Sequence, residues 1–184
     1  ITRNPDGSYT VEHTNPADQA IVDGTDRVFN IEILRFADQD VALNNEPATG
    51  APVISDTTPT EGETLTVNVS SIADANGLGA FQYQWQNSSD GGQTWTNIAG
   101  ATAAAFTPTQ GQVNSLLRVA VSFTDGGGTN EMVVSEPTGI VGDFISDGIF
   151  GGTLTGTAGE DVLNGNGGND TMIGGAGDDT YYVD

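Results

Sequence analysis

The sequence predicts an all-β protein in three parts: a short β segment, a β-sandwich and a C-terminal parallel β-roll. Apolar and polar residues alternate over several short segments, as in half-buried strands. Turn-forming residues separate these segments, and the last thirty or so residues repeat every nine positions, as in a β-roll. No segment has helical periodicity. The expected parts are residues 1–44, 52–141 and 151–184, with junctions at 44–52 and 139–152.

The first part, residues 1–44, is expected to hold at least two strands. The sequence Asn4-Pro5-Asp6-Gly7 is typical of a turn, and residues 8–14 and 27–36 alternate as strands do. His13, the only histidine, has no cysteine or nucleophile motif to work with, so an exposed strand position is favoured over catalysis. Four aspartates offer carboxylates to a cation, although turn positions explain them better: Asp23, Asp26, Asp38 and Asp40.

The middle part, residues 52–141, is expected to be a β-sandwich because its strand candidates recur at regular spacing. In the stretch FQYQWQNSSDGGQTWTNI, Phe81, Tyr83 and Trp85 share one strand face, and the turn lies at 90–92. Burial of the Trp85 ring would contribute on the order of 2–3 kcal/mol. The strand candidates are residues 53–55, 63–69, 81–87, 94–98, 105–108, 116–124 and 132–136.

Four motifs follow one another in this part: PTEGETLTV, YQWQ, DGGQTWTNIAGAT and LRVAVSFTDGGG. Together they resemble the bacterial Ig-like modules found in tandem in adhesins and exported enzymes. The resemblance covers about half of the chain and implies a buried tryptophan on the third strand, at Trp85. Because the chain has no cysteine, apolar packing must replace the disulfide that immunoglobulin domains carry between their sheets.

Two other features of the middle part have alternative interpretations. Residues 74–79 (DANGLG) begin like a small calcium loop, but Trp85 stands where an EF-hand loop has its glutamate, so a simple turn is favoured. Tyr83, Trp85 and Trp95 would form a sugar-binding platform if they were exposed. Strand alternation favours burial of the first two and leaves Trp95 open.

The third part contains three consecutive nine-residue repeats, GTAGEDVLN, GNGGNDTMI and GGAGDDTYY, at residues 156–164, 165–173 and 174–182. Glycine occupies the first and fourth positions, aspartate the sixth, and a large apolar or aromatic residue the eighth. Glycine allows tight turns with inward-facing carbonyls, and aspartate adds a hard, charged oxygen. Calcium takes about six to eight such oxygen ligands, so this pattern predicts calcium binding.

Two repeats should make one coil, so repeats one and three should stack and repeat two should lie opposite. A calcium ion is therefore expected between Asp161 and Asp179. Asp170 needs a partner one coil away, but the degraded repeat before it, which includes Leu154, has Gly152 where the aspartate belongs, so this site looks incomplete. Backbone ligands are expected from nine positions: Gly156, Thr157, Gly159, Gly165, Asn166, Gly168, Gly174, Gly175 and Gly177.

These repeats resemble the RTX, or hemolysin-type, repeats of secreted bacterial proteins, over residues 151–184. The resemblance implies type I secretion, in which the unfolded chain passes through a one-step channel. Thr157 and Asn166 depart from it, because glycine is usual at the second position, and a small conformational cost is expected at both. The stretch GTDRVFNIEILRFADQDVAL resembles a segment that often borders such repeats in large exported proteins.

Composition fits this interpretation. The chain has 25 acidic residues against 4 basic ones and a formal net charge of −21. Such a charge repels nucleic acid and anionic membranes and leaves divalent cations as natural counter-ions. No apolar run is long enough to be a transmembrane segment, and no signal peptide is evident. The abrupt ends of the sequence suggest an excised fragment.

The sequence therefore predicts a calcium-binding structural module, extracellular or at the cell surface, that folds on calcium binding after export. An alternative is an adhesion module whose Ig-like part binds extracellular matrix, a polysaccharide or a host protein. No catalytic motif is present, so an enzyme hypothesis concerns only a parent protein, for which the resemblance suggests, for example, a haem peroxidase.

Overall fold

A computed structural model describes residues 2–5, 8–12, 25–28, 33–35, 40–42 and 45–184. These residues form two compact units, Ile1–Glu46 and Pro47–Asp184. The described residues contain strands, turns and bends without any helix, which confirms the all-β prediction. In these ranges no helix has the length and apolarity that crossing a membrane requires.

The first unit contains a three-stranded antiparallel sheet and a separate strand pair. Of the turn predicted at residues 4–7 the structure describes Asn4 and Pro5, which follow the first strand, and the backbone N–H of Asn4 donates to the carbonyl of Ser8 at 2.7 Å. His13, Asp23, Asp38 and residues 29–32 lie outside the described residues, so the predictions for them stay predictions. The sheet consists of β1 (Thr2–Arg3), β2 (Tyr9–Glu12) and β3 (Thr25–Val28). The separate pair consists of β4 (Ile33–Arg35) and β5 (Asp40–Ala42).

The second unit begins with two antiparallel sheets. One has the strand order β12-β11-β8-β9 and the other the order β10-β7-β6. Every strand predicted between residues 53 and 136 overlaps an observed one, and residues 116–124 have the predicted limits. The strands are β6 (Val53–Ile54), β7 (Leu65–Asn68), β8 (Gln82–Ser88), β9 (Thr96–Asn97), β10 (Ala105–Phe106), β11 (Leu116–Thr124) and β12 (Asn130–Val134).

Side-chain alternation builds one apolar core between these sheets. Trp85 on β8 lies opposite Val119 on β11 and is fully buried, as predicted. Its ring packs against Phe106 of the other sheet, at a centroid distance of 5.4 Å, and its Nε1 donates to the carbonyl of Ala103 at 3.0 Å. Leu65 on β7 belongs to the same buried cluster. A closed core of this kind needs no disulfide.

The remaining strands form a parallel two-sided roll. Strands β13, β15 and β17 pair on one side, and β14 and β16 pair on the other. Repeats one and three therefore stack and repeat two lies opposite, as predicted. Leu154 and Leu163 fill the interior. The strands are β13 (Phe144–Ser146), β14 (Thr153–Thr155), β15 (Val162–Asn164), β16 (Thr171–Ile173) and β17 (Thr180–Tyr182).

The roll begins earlier than the recognisable repeats, because β13 lies within the expected junction at 139–152. Val141, three residues before β13, is still fully buried in the core of the two sheets. The next residue, Gly142, donates its N–H to the carbonyl of Pro59 at 2.9 Å and accepts from the N–H of Glu61 at 3.0 Å. The Thr60 hydroxyl donates to the carbonyl of Glu160 at 2.7 Å. The first coil of the roll thus packs directly on the sheets.

Candidate metal centre

The turns of repeats one and three stack closely. The N–H of Ala176 donates to the carbonyl of Thr157 at 3.2 Å. A Cβ atom on Gly175 would lie 2.0 Å from that same carbonyl oxygen, and one on Gly177 would lie 2.4 Å from the carbonyl oxygen of Gly159. Gly175 and Gly177 also have positive φ angles of 109° and 113°. Only glycine allows this approach, so the repeat places backbone oxygens at the seam between the turns.

Asp161 is the best-buried polar group of the roll, at 1% exposure. Its carboxylate accepts hydrogen bonds from the N–H of Asp143 at 2.5 Å, the N–H of Thr157 at 2.6 Å and the Thr157 hydroxyl at 2.9 Å. The N–H of Asp161 in turn donates to Asp179 at 3.1 Å. Asp143, Asp161 and Asp179 therefore follow one another, one per coil, along one side of the roll, and the carboxylates of Asp161 and Asp179 each accept from the N–H of the aspartate one coil earlier.

The first glycine of each repeat faces the aspartate of the same repeat. The aspartate carboxylate of each repeat thus lies against the first glycine of that repeat, and a side chain at the glycine position would collide with it. A Cβ atom would lie within 2.5 Å of Asp161 on Gly156, within 2.6 Å of Asp170 on Gly165, and within 1.9 Å of Asp179 on Gly174.

The opposite side of the roll has a second acidic pair. The N–H of Gly152 donates to Asp170 at 2.8 Å. Asp147 reaches the same place, because a Cβ on Gly152 would lie 2.7 Å from its Oδ2. Burial and the neighbouring Asp170 carboxylate raise the pKa of Asp147, whose Oδ1 is buried without a hydrogen-bond partner. Asp170 thus has a carboxylate neighbour that the register of the repeat did not predict.

A third acidic pair lies where the roll meets the sheets. Oε2 of Glu61 and Oδ1 of Asp143 are both buried without a hydrogen-bond partner. Burial and the charge of Asp143 raise the pKa of Glu61. Arg118 is the only basic residue after Arg35, and its guanidinium lies over the ring of Trp95, 4.2 Å from the centroid. Because Arg118 is engaged there, no basic side chain from residues 36–184 lies beside the carboxylates of the roll.

The two departures from glycine at the second position differ in their effect. Asn166 has a positive φ of 56°, which asparagine tolerates better than most residues. Its Nδ2 donates to the Ser146 hydroxyl at 2.9 Å and to the carbonyl of Asp147 at 2.6 Å. Thr157 lies outside the positive-φ region, so the expectation of conformational cost is wrong there. Threonine serves instead as a donor to Asp161.

The aromatic residues considered as a sugar platform do not share one exposed face. Trp85 is fully buried, and Tyr83 is half-buried against the core. Trp95 is half-buried beneath Arg118, and its Nε1 donates to the carbonyl of Gly92 at 3.0 Å.

The groups that converge in the roll fit calcium. Its turns offer carboxylates and carbonyl oxygens, and the chain has no cysteine, so soft metals have no thiolate to bind. Oδ1 of Asp143 and Oδ1 of Asp147 are buried in the roll without partners, and such groups are costly unless a cation compensates them. Calcium prefers this all-oxygen environment.

Comparison with known proteins agrees with this chemistry. Residues 147–181 match the family model described as RTX calcium-binding nonapeptide repeat (4 copies), so the roll is of the RTX class and its cofactor is calcium. Residues 49–141 match the model described as domain of unknown function DUF8696. This match covers half of the chain, and the chain belongs to that family. No curated protein matches the chain.

Proposed function

We propose that this chain is a calcium-dependent structural module of a bacterial protein that works outside the cell. RTX repeat proteins are typically secreted by bacteria, and the net charge of −21 suits a chain that meets calcium only after export. The observation that carries the proposal is the column of Asp161 and Asp179, held by backbone donors at the seam of two stacked turns.

The first proposed site lies between the turns of repeats one and three. Asp161 and Asp179 supply its charge, because they are the aspartates of two adjacent coils. The repeat brings backbone carbonyl groups to the same seam, because glycine lets the two turns approach closely. The backbone contributors are drawn from Gly156, Thr157, Gly159, Gly174, Gly175 and Gly177.

The second proposed site lies on the opposite side of the roll. Asp170 and Asp147 supply its charge, and Asp147 compensates for the glycine at position 152. The corresponding backbone contributors are Gly165, Asn166 and Gly168. Two carboxylates brought together without a cation repel each other, so this side of the roll should be weak in chelator.

The proposed mechanism is a folding switch. At low calcium the aspartates of adjacent coils repel, and the roll remains open, which suits passage through a narrow channel. At extracellular calcium, sites with dissociation constants of about 10⁻⁴–10⁻³ M fill. Because the sites require the stacked turns, binding free energy becomes folding free energy.

The two-sheet part serves as the folded support of the roll. Its motifs resemble bacterial Ig-like modules, and its apolar core around Trp85 should form without an ion. An adhesive role for this part lacks the exposed aromatic face that would favour it, since Trp95 packs beneath Arg118.

Calcium titration of the whole chain tests the proposal. Amide NMR signals of the roll glycines, such as Gly168 and Gly177, should disperse as CaCl₂ is added to the chelated protein, and the β-sheet circular dichroism signal should grow. Magnesium chloride is the control ion, because magnesium needs a stricter octahedral geometry. A spectrum and thermal midpoint that do not respond to calcium would refute the switch.

A further inference from the structure

A second group of carboxylates, remote in sequence from the repeats, meets at one end of the two sheets. One carboxylate oxygen from each of Asp74, Asp125 and Glu131 lies within 4.8 Å of the other two. Asp74 precedes the turn at residues 75–76, Asp125 follows β11, and Glu131 lies on β12. Asp125 is buried, at 6% exposure, and the other two are half-buried.

Two of these carboxylates have an oxygen without a partner. Oδ2 of Asp125 and Oδ2 of Asp74 are both shielded from solvent and accept no hydrogen bond. Their other oxygens are held by the backbone: Thr129 N–H donates to Asp125 at 2.6 Å, and Asn76 N–H donates to Asp74 at 2.7 Å. The side chains are thus fixed in place while one oxygen of each is unsatisfied. A buried carboxylate in this condition is costly unless a cation or a proton compensates it.

The backbone around the group is tightly constrained. Gly126 donates its N–H to the carbonyl of Asn76 at 3.1 Å, and a Cβ on Gly126 would lie 2.3 Å from that oxygen. A Cβ on Gly79 would lie 2.0 Å from the carbonyl oxygen of Thr124. Glycine therefore allows the two turns that carry Asp74 and Asp125 to pack closely, and the carboxylates cannot separate without breaking this contact.

No basic side chain from residues 45–184 compensates the unpartnered oxygens of Asp74 and Asp125. Arg118, the only arginine there, hydrogen-bonds to Gln86 at 2.7 Å and covers Trp95. We therefore infer that Asp74, Asp125 and Glu131 form a calcium site of their own, distinct from the roll. Three carboxylates without a thiolate or imidazole select a hard divalent cation, and a site built mainly from protein carboxylates favours calcium over magnesium, which keeps most of its water.

Occupation of this site would also fix the start of the sheet unit. The N–H of Ala48 donates to Oε2 of Glu131 at 3.3 Å, so the chain entering the unit is tied to one of the ligands. An ion that orders Glu131 should order Ala48 with it.

The test uses the full chain and measures calcium binding at this site separately from calcium binding in the roll. In ¹⁵N-labelled protein titrated from EDTA into CaCl₂, the amides of Gly126, Thr129 and Ala48 should shift and saturate. Glu131→Gln should weaken that response at least tenfold, and equilibrium dialysis should find one calcium ion fewer per chain. Glu136→Gln makes the same charge change at an exposed position beyond the far end of β12, and it should leave both unchanged. Roll amides such as Gly177 should titrate as in the unaltered chain.

Thermal melting separates a ligand from a merely structural group. Glu131→Gln should lower the melting temperature in calcium but not in EDTA, where it relieves repulsion between carboxylates. Asp125→Asn is the second variant, and it should lose the Gly126 response if the protein folds. An equal loss of melting temperature in calcium and in EDTA would overturn the inference. So would amides of Gly126 and Thr129 that do not move, or that move equally in the unaltered chain and in Glu131→Gln.

Discussion

Replacement of Asp161 with asparagine should weaken the seam of the roll in two separable ways. The first is loss of hydrogen bonds. Oδ1 of Asp161 accepts from the N–H of Asp143 and the hydroxyl of Thr157, and Oδ2 accepts from the N–H of Thr157. An asparagine that keeps the first two must turn its amide NH₂ toward the third donor. Loss of one bond to a charged group costs about 1.5–3 kcal/mol, and an unsatisfied buried donor costs about 1–3 kcal/mol.

The second loss is in calcium binding. At a calcium concentration about 100-fold above the dissociation constant, the ion raises the free energy of unfolding by about 2.7 kcal/mol. If removal of the Asp161 carboxylate weakens binding about 100-fold, the same concentration leaves only RT ln 2, or about 0.4 kcal/mol. The calcium-dependent increment should therefore nearly vanish, and the altered hydrogen bonds should lower the free energy of opening of the calcium-bound roll by a further amount of about 1.5–3 kcal/mol.

Hydrogen exchange of the backbone amides in β15 measures both effects where they occur. Asp178→Asn is the matched control, because Asp178 is an exposed aspartate in the turn of repeat three. It should change the free energy of opening by no more than about 0.5 kcal/mol. If Asp161→Asn retains the calcium-dependent increment of the unaltered chain, the assignment of Asp161 as a calcium ligand is refuted.

Three further predictions concern the rest of the second unit. Trp85→Ala should lower the free energy of unfolding by about 3–5 kcal/mol in a urea titration, because it empties the core. Gly142→Ala should deprotect β13 in hydrogen exchange while β11 stays protected, because its Cβ would lie 1.9 Å from the carbonyl oxygen of Glu160. Hydrogen bonds from Thr94 and Ser88 hold the pKa of Asp90 well below its ordinary value of 3.8. The stability that Asp90 contributes is thus complete above about pH 4 and declines as pH falls toward its folded pKa, so urea midpoints of Asp90→Asn should depend less on pH in this range.

The sequence anticipated features whose physical cause is local. Alternation places Trp85 inward because successive side chains of a strand point to opposite faces. The nine-residue period fixes which turns stack, so the pairing of Leu163 with Tyr181 follows from spacing alone. The burial of Trp95 was open because it depends on Arg118, a partner on another strand.

The features that the sequence did not predict depend on contacts between distant residues or on repeats that have lost most of their pattern. Strand β13 keeps the period only through Asp143 and Ile145, which is too little to recognise without the pairing to β15. Asp147 stands at the first position of its repeat, where glycine is expected, so its approach to Asp170 is visible only in space. Asp74 was weighed as part of a loop, whereas its partners Asp125 and Glu131 come from distant strands.

The direct packing of Gly142 on the sheets gives the roll a polarity. The first coil of the roll is held by the two sheets, which should fold without calcium. Folding of the roll therefore starts at this coil, without the entropic cost of forming an isolated nucleus. Each later coil can settle only on the one before it. Exposure follows this order: Leu163 is fully buried, whereas Tyr181, one coil further on, is 45% exposed. Depletion of calcium should therefore unravel the roll from its far end toward the sheets, and refilling should rewind it in the opposite direction.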